Sequence, residues 1–289
     1  MKKILITGGT GMLGTYVSKR LENSDYEIIY ADRQHFNLSN PANLYAKVIE
    51  IKPDIILHLA AETDVDLCER DPVSGGINNH LATESIARAA NICGAWMLYI
   101  SSSNVFGAEG KFLYNELDLP NPVNYYGRSK LFGELSIRTY CPQNHLIIRA
   151  GWMIGGGPQL DHKFVGKVVK QIRDGASVLK AVSDRMGSIT SASLLSEFII
   201  WAINLRQTGT IHFASSGLVS RFDIADRIGQ LLSFSGTIEP VMSAQFPLSA
   251  PRPFSEGIES IYLSTLKDAP KPQFWRKDLE DYVNTFKQL

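Results

Sequence analysis

The stretch "KILITGGTGMLG", residues 3–14, decides the fold of this chain. A short apolar run ends at Thr7, and Gly8, Gly11 and Gly14 follow it as a helical pattern begins. A buried strand that passes through a glycine-rich turn into a helix is the typical opening unit of a doubly wound α/β sheet. The sequence therefore predicts a strand, a tight turn and a helix here.

The same alternation continues through the first half of the chain. The predicted strands are "KILIT", "EIIYA", "DIILHLA", "WMLYIS" and "HLIIRA". The predicted helices between and around them cover residues 12–22, 41–51, 76–93 and 124–140. Strands that alternate with helices form a parallel sheet that is covered on both faces, and such a sheet binds ligands beyond the carboxyl ends of its strands.

Beyond residue 150 the pattern loosens into the connections "GWMIGGGPQ" and "FPLSAPRPFS". The predicted helices of this part lie near 162–174, 192–204, 221–231 and 275–286. We expect a doubly wound domain over 1–150 and a smaller, less regular substrate-binding region over 151–289, with parts of the later chain returning to the first domain. A cleft between the two is the expected substrate site.

Composition excludes several classes of protein. Lysine plus arginine and aspartate plus glutamate each total 29, so no bulk charge attracts nucleic acid or an anionic membrane surface. The three cysteines have no C-x-x-C spacing, and we expect reduced thiols and no metal site. No signal-peptide core and no apolar run of about 18 residues occurs, which predicts a cytoplasmic location.

The glycine turn also predicts a ligand. Glycines let the backbone approach a pyrophosphate, and the free N–H groups at the start of a helix attract its charge. Asp32 ends the second predicted strand, where an acid can bind the ribose hydroxyls of an adenosine. Arg33 follows and could pair with a 2′-phosphate, which Asp32 would repel. The predicted cofactor is therefore NAD or NADP, with the preference open.

A second set of residues predicts chemistry beside that cofactor. Ser101, Ser102 and Ser103 end the fourth predicted strand, at the edge where a doubly wound sheet presents catalytic groups. Tyr126 and Lys130 stand at i and i+4 of a predicted helix and therefore share one face. A nearby ammonium favours a phenolate, so we expect Lys130 to lower the pKa of Tyr126 and make it a competent acid.

Together these motifs resemble those of the extended short-chain dehydrogenase/reductases, with "GGTGMLG", "SSSNVFG" and "YYGRSK" as the three signatures. Within that group the chain is similar to the dTDP-4-dehydrorhamnose reductase family from end to end. The stretches that carry the similarity are "HLAAETDVDLCERDP" (58–72), "FLYNELDLPNPVNYYGRSKLFGE" (112–134), "IIRAGWMIG" (147–155) and "APRPFSEGIESIYLSTLK" (250–267). The resemblance implies a Rossmann fold, a nucleotide-sugar substrate and a possible homodimer.

The resemblance also implies roles for single residues. Ser102 would bind the substrate carbonyl, Tyr126 would donate the proton, and Lys130 would hold the nicotinamide ribose and lower the pKa of the tyrosine. The residues implied to contact the cofactor are Gly8, Thr10, Gly11, Met12, Leu13, Asp32, Arg33, Asn37, Leu38, Ala60, Ala61, Glu62, Thr63, Tyr126 and Lys130. Ser102, Ser103 and Trp152 would face the sugar.

The implied reaction is the reduction of a nucleotide-linked 4-keto-6-deoxy sugar by NAD(P)H. Two departures from the family pattern leave the sugar nucleotide open: Ser102, Ser103 and Asn104 replace the usual Thr-Asp-Tyr, and "DRMGSIT" (184–190) replaces the usual Asp-Gln-x-Gly-x-Pro-Thr. One alternative is a sugar-nucleotide epimerase, because "SSSNVFG" also resembles the epimerase form of this loop. The other is a noncatalytic subunit that binds the dinucleotide and regulates a partner.

Overall fold

The computed structural model of the chain describes residues 1–32, 34 and 36–287. The strands of these residues are, in chain order, β1 Lys2–Thr7, β2 Tyr26–Ala31, β3 Ile55–His58, β4 Trp96–Ser102, β5 Leu113–Tyr114, β6 His145–Ala150, β7 Trp152–Ile154, β8 Val178–Val182, β9 Met186–Gly187, β10 Ile189–Ser191, β11 Gly209–Phe213, β12 Val219–Ser220, β13 Thr237–Val241 and β14 Ser255–Ile258.

The helices alternate with the strands through the first half and then cover the later chain. They are α1 Met12–Leu21, α2 Pro41–Ile51, α3 Val65–Arg70, α4 Pro72–Gly76, α5 Ala82–Cys93, α6 Tyr125–Tyr140, α7 Gly157–Leu160, α8 Phe164–Arg173, α9 Ala192–Leu205, α10 Arg221–Leu231 and α11 Trp275–Lys287. A π-helical turn, Ile77–Leu81, joins α4 to α5, and short 3₁₀ turns occur at Ser103–Val105 and Ser243–Gln245.

Six strands of the described residues form the central sheet in the order β11-β6-β4-β3-β1-β2. Every neighbouring pair in it is parallel, so all six carboxyl ends lie at one edge. The chain builds outward from β1 to β2 and then crosses to β3 on the other side. This confirms the predicted doubly wound sheet and places its topological switch point, where such folds bind ligands, beside β1.

The strand sequences read as continuous apolar runs because both faces of the sheet are buried. Ile4 and Ile6 of β1 face a core that is shared with α1 and α9, whereas Leu5 faces the core formed with α2, α5 and α6. A third core holds the later chain together through α8, α10 and α11, with Ile228 and Leu279 fully buried. The expected smaller region therefore has apolar packing of its own.

The later chain also completes the central sheet. β11 pairs with β6 although residues 209–213 were not among the predicted strands. This strand contains Gly209 and Thr210 and is short, so its apolar pattern is weak. The helix predicted at 76–93 is instead the π-helical turn followed by α5, and the helical chain begins earlier, at Pro72, with α4. Along the described part of the chain, no helix combines the length and the apolar character needed to cross a membrane.

Candidate active site

The glycine turn between β1 and α1 can exist only with glycine at two of its positions. Gly8 has φ of +73°, and a Cβ there would lie 2.8 Å from the backbone nitrogen of Ala60. A Cβ at Gly14 would lie 2.1 Å from the carbonyl oxygen of Gly8. Gly11 N–H donates to that same oxygen at 3.0 Å, and Gly11 caps α1 without any side-chain acceptor for the first N–H groups. The helix therefore begins with N–H groups that suit an anion.

The other residues expected to contact a cofactor lie along the same edge of the sheet. Asp32 comes directly after β2, and its carbonyl accepts the N–H of Phe36 at 2.8 Å. Asn37 and Leu38 follow, and Leu38 packs against the core beneath α2. The loop 60–63 follows β3 after one intervening residue, Leu59. Arg33, the residue expected to select a 2′-phosphate, lies outside the described residues.

Asn79, which the sequence pattern did not reveal, ties the loop after β3 to the helix α6. It lies in the π-helical turn, where its Oδ1 accepts the N–H of Glu62 at 2.8 Å. Its Nδ2 donates to the carbonyl of Glu62 at 3.0 Å and to Ser129 Oγ at 3.1 Å. The extra residue of a π-helical turn re-aims a side chain in this way, and such turns are frequent at functional sites.

His58 at the end of β3 is a fixed, neutral side chain. Thr83 Oγ1 donates to the carbonyl of Asn79 at 2.7 Å, so this hydroxyl accepts from His58 Nε2–H at 3.0 Å. His58 Nδ1 then accepts from Thr7 Oγ1 at 2.8 Å. Complete burial and the charge of Lys130 lower the pKa of His58 to about 3. The ring therefore connects β1, β3 and α5 without carrying a charge.

Tyr126 and Lys130 lie on the buried face of α6. The helix begins after Asn124, whose Oδ1 accepts the N–H of Gly127 at 2.8 Å. Lys130 is 2% exposed, and its Nζ lies 4.0 Å from the centroid of the Tyr99 ring, a cation–π contact. Burial lowers the pKa of Lys130 to about 7, and the charge of Glu134 opposes that shift. Lys130 can therefore exchange a proton near neutral pH.

The expectation that Lys130 lowers the pKa of Tyr126 is wrong. Burial raises the pKa of Tyr126 to about 12, a hydrogen bond with Ser102 lowers it by less, and the charge of Glu256 is among the groups that raise it further. Desolvation outweighs the hydrogen bond with Ser102 because the phenolate, unlike the phenol, needs solvation. Tyr126 therefore keeps its proton in the ground state, as a proton donor requires.

The serines at the end of β4 have different surroundings: Ser101 binds buried scaffold residues, whereas Ser102 faces the site. Ser101 donates to Glu134 Oε1 at 2.6 Å, and Glu134 also binds Arg149 through both carboxylate oxygens, at 2.9 and 2.7 Å. Ser102 Oγ accepts the N–H of Asn104 at 3.2 Å and faces the phenol of Tyr126. Ser103 is 1% exposed, and among the described residues its hydroxyl has no hydrogen-bond partner. Ser102 is thus the hydroxyl placed beside Tyr126.

Trp152 lies at the same end of the sheet and is held on two sides. Its Nε1 donates to Glu256 Oε2 at 3.0 Å, and Arg221 Cζ lies 3.8 Å from the centroid of its ring. A Cβ at Gly187 would come within 2.5 Å of the indole. Glu256 and Arg221 come from β14 and α10, and their approach to Trp152 depends on contacts between distant parts of the chain. The sequence motifs assign no role to either residue, although Glu256 lies within the stretch 250–267 that carries the family resemblance.

The family model described as RmlD substrate binding domain matches residues 1–288 of the chain. A relative, dTDP-4-dehydrorhamnose reductase of Escherichia coli K12, is 29% identical over 271 residues, which cover 89% of each chain. The match therefore spans both the central sheet and the later region.

Two solved structures extend the comparison. The crystal structure of a dTDP-4-dehydrorhamnose reductase from Yersinia enterocolitica has 66% identity and a TM-score of 0.98, and the match covers 99% of this chain and 100% of that one. The enzyme of the same name from Bacillus anthracis, solved in complex with NADP, has 28% identity and a TM-score of 0.89 over 98% of this chain and 99% of that one. The full architecture, including the later region, is thus shared with both.

Proposed function

This chain belongs to the RmlD substrate-binding domain family, and from that premise we propose the reaction that it catalyses. It is an NAD(P)H-dependent oxidoreductase of the dTDP-4-dehydrorhamnose reductase type, which reduces the keto group of a nucleotide-linked 4-keto-6-deoxy sugar. The observation that carries the proposal is that Ser102 ends β4 at the same edge of the sheet as the glycine turn, with Tyr126 facing Ser102 and Lys130 one turn further along α6. The two halves of a reductase site, one for a dinucleotide and one for a carbonyl, therefore adjoin.

The residues of the glycine turn fit a dinucleotide cofactor. At Gly8 and Gly14 a side chain would collide with the backbone, so the turn stays open to a close-lying pyrophosphate, and the first N–H groups of α1 face it. Asp32 would bind the adenosine ribose, and Lys130 the nicotinamide ribose. When bound there, the reduced dinucleotide supplies a hydride.

Tyr126 acts as the general acid in the proposed reaction. Its phenol keeps its proton because burial raises its pKa to about 12. As the keto carbon is reduced, the carbonyl oxygen gains negative charge and takes the proton from Tyr126 Oη, while Ser102 Oγ donates a hydrogen bond to the same oxygen. The ammonium form of Lys130 then stabilises the phenolate that Tyr126 becomes. Its charge thus acts on the transition state rather than on the resting phenol.

The reaction can be tested by following NADH and NADPH oxidation with a panel of dTDP-, UDP-, GDP- and CDP-linked 4-keto-6-deoxy sugars. We expect oxidation with the dTDP-linked substrate. Inversion of a sugar carbon without net cofactor oxidation would replace the proposal with an epimerase. Failure of every sugar to oxidise a bound cofactor would favour a regulatory subunit.

The residues after β2 predict a modest preference between the two cofactors. We expect Arg33→Ala to weaken NADPH binding about tenfold, since a hydrogen-bonded charge pair with the 2′-phosphate is lost, and to leave NADH binding nearly unchanged. Calorimetric titration of both dinucleotides measures the difference. Equal affinities in variant and wild type for both cofactors would reduce Arg33 to a surface residue.

The start of α1 provides a test of the pyrophosphate position. A Cβ at Gly11 would lie 3.3 Å from the carbonyl oxygen of Gly8, which the turn can accommodate with a small shift. The two further methyl groups in Gly11→Val would cover the first N–H groups of the helix, so we expect affinity for NADPH to fall at least about tenfold. Gly11→Ala is the control and should lose less. Wild-type affinity of a folded Gly11→Val protein would move the pyrophosphate elsewhere.

A further inference from the structure

Glu256 is a buried carboxylate with only one of its oxygens in use. It lies in β14 and is 9% exposed. Asn104 Nδ2 donates to its Oε2 at 2.6 Å, and Trp152 Nε1 donates to the same atom at 3.0 Å. No residue that the structure describes donates a hydrogen bond to Oε1. Oε1 is not among the buried side-chain atoms that lack a partner in the described part of the chain, so it is reachable from outside the protein and can accept a hydrogen bond from a ligand.

The carboxylate adjoins the proposed catalytic groups. Asn104, which holds it, comes two residues after Ser102 and accepts a hydrogen bond from Asn124 Nδ2 at 3.1 Å. Asn124 in turn caps the helix that carries Tyr126. The charge of Glu256 is felt at the Tyr126 phenol, where it raises the pKa. Glu256 therefore lies beside the place where a sugar with its keto group at Tyr126 would bind.

Arg221 compensates the charge of Glu256 without covering Oε1. Its guanidinium stacks on the Trp152 ring, with Cζ 3.8 Å from the centroid, and it also lies 5.0 Å from the Phe164 ring. Among the residues with described side chains, none forms an ion pair with Glu256 within 4.0 Å. Arg221 and Glu256 therefore attract each other electrostatically without direct contact, since the charge of Glu256 raises the pKa of Arg221. Oε1 stays open to a ligand.

We propose that Glu256 Oε1 accepts a hydrogen bond from a ring hydroxyl of the sugar reduced at Tyr126, and that Glu256 thereby selects a hydroxylated sugar. The proposal rests on the proposed function, because it assumes that a nucleotide sugar occupies this cleft. A 4-keto-6-deoxy hexose carries hydroxyls at C2 and C3, and a carboxylate is acceptor-only, so the match is a hydroxyl donor with a charged acceptor.

The orientation of the site makes Glu256→Gln an informative variant. Trp152 and Asn104 both donate to the position of Oε2, so the amide oxygen of a glutamine must lie there and its NH₂ group must take the place of Oε1. The substitution keeps the volume and both existing hydrogen bonds. It removes the charge and turns the substrate-facing acceptor into a donor.

The test compares binding of dTDP-linked 6-deoxyhexoses with their 2-deoxy and 3-deoxy analogues by calorimetry in the presence of NADP. Wild type should bind one of the two analogues about 10- to 100-fold more weakly than the full sugar, since a hydrogen bond to a charged group is lost. In Glu256→Gln that difference should shrink to about threefold or less. Affinity for dTDP alone should match wild type.

Two results would overturn the assignment. Wild type that binds both deoxy analogues as well as the full sugar has no hydroxyl contact at Glu256. A Glu256→Gln variant that weakens all three sugars equally shows that Glu256 only holds Trp152 and Asn104. Failure of the proposed reaction is seen separately, as an absence of turnover with keto sugars that nevertheless bind with the hydroxyl preference.

Discussion

The Tyr126→Phe variant is expected to lose about 10²- to 10⁴-fold in kcat on a confirmed keto-sugar substrate, while its fold and its affinity for the dinucleotide stay near normal. The substitution removes one oxygen atom from a ring that is packed against β4 and the loop that follows it. It therefore takes away the proton donor and leaves the apolar contacts. Since the raised pKa of Tyr126 keeps its proton in place, no other group is required to protonate it before the reaction.

Tyr125→Phe is the matched control for this prediction. Tyr125 is the neighbouring residue on α6, is 41% exposed and lies beneath Arg128, 5.1 Å from its guanidinium. We expect its kcat to remain close to wild type in steady-state assays run beside those of Tyr126→Phe. Near wild-type kcat in the Tyr126 variant itself would remove the acid from the mechanism and would make the regulatory alternative the leading one.

The fold could be predicted where local pattern and tertiary structure agree. The strands around Ile4, Ile56 and Ile148 are buried on both faces, so their apolar runs are unbroken and were recognised. β11 was missed because it lies at the edge of the sheet and begins with glycine and threonine. The π-helical turn lies inside a stretch that reads as one helix, and it has no residue signature of its own that marks the extra residue.

The site shows the same division between local and distant determinants. Gly8, Tyr126 and Lys130 could be singled out because each belongs to a short motif with fixed spacing. Glu256 could not, since it reaches Asn104 across 152 residues of sequence. The direction of the pKa shift of Tyr126 was predicted wrongly for a related reason: spacing indicates which charge is near, whereas burial depends on the packing of the whole site.

Lys130→Met is expected to lose turnover on the order of 10²-fold or more and to bind NADPH more weakly, yet to be more stable than wild type in acid and neutral solution. The activity falls because the charge that stabilises the Tyr126 phenolate and the contact with the ribose both disappear. The stability rises because burial of the ammonium is unfavourable, as its pKa of about 7 instead of 10.5 indicates. Methionine fills a similar volume without a charge.

The gain in stability should depend on pH in a definite direction. Between about pH 7 and pH 10.5 the unfolded wild type holds the Lys130 proton and the folded protein does not, so wild-type stability rises with pH across this window. The methionine variant lacks this contribution, and its advantage should be largest below pH 7 and shrink above it. Melting temperatures of both proteins at about pH 6 and about pH 9 measure the change.

The control for this prediction is Lys130→Arg, which keeps a charge and should show no such advantage in stability. A methionine variant that is less stable than wild type at about pH 6, where Lys130 is charged, would mean that the cation–π contact with Tyr99 outweighs the cost of burying the ammonium, and that Lys130 holds the fold as well as the cofactor.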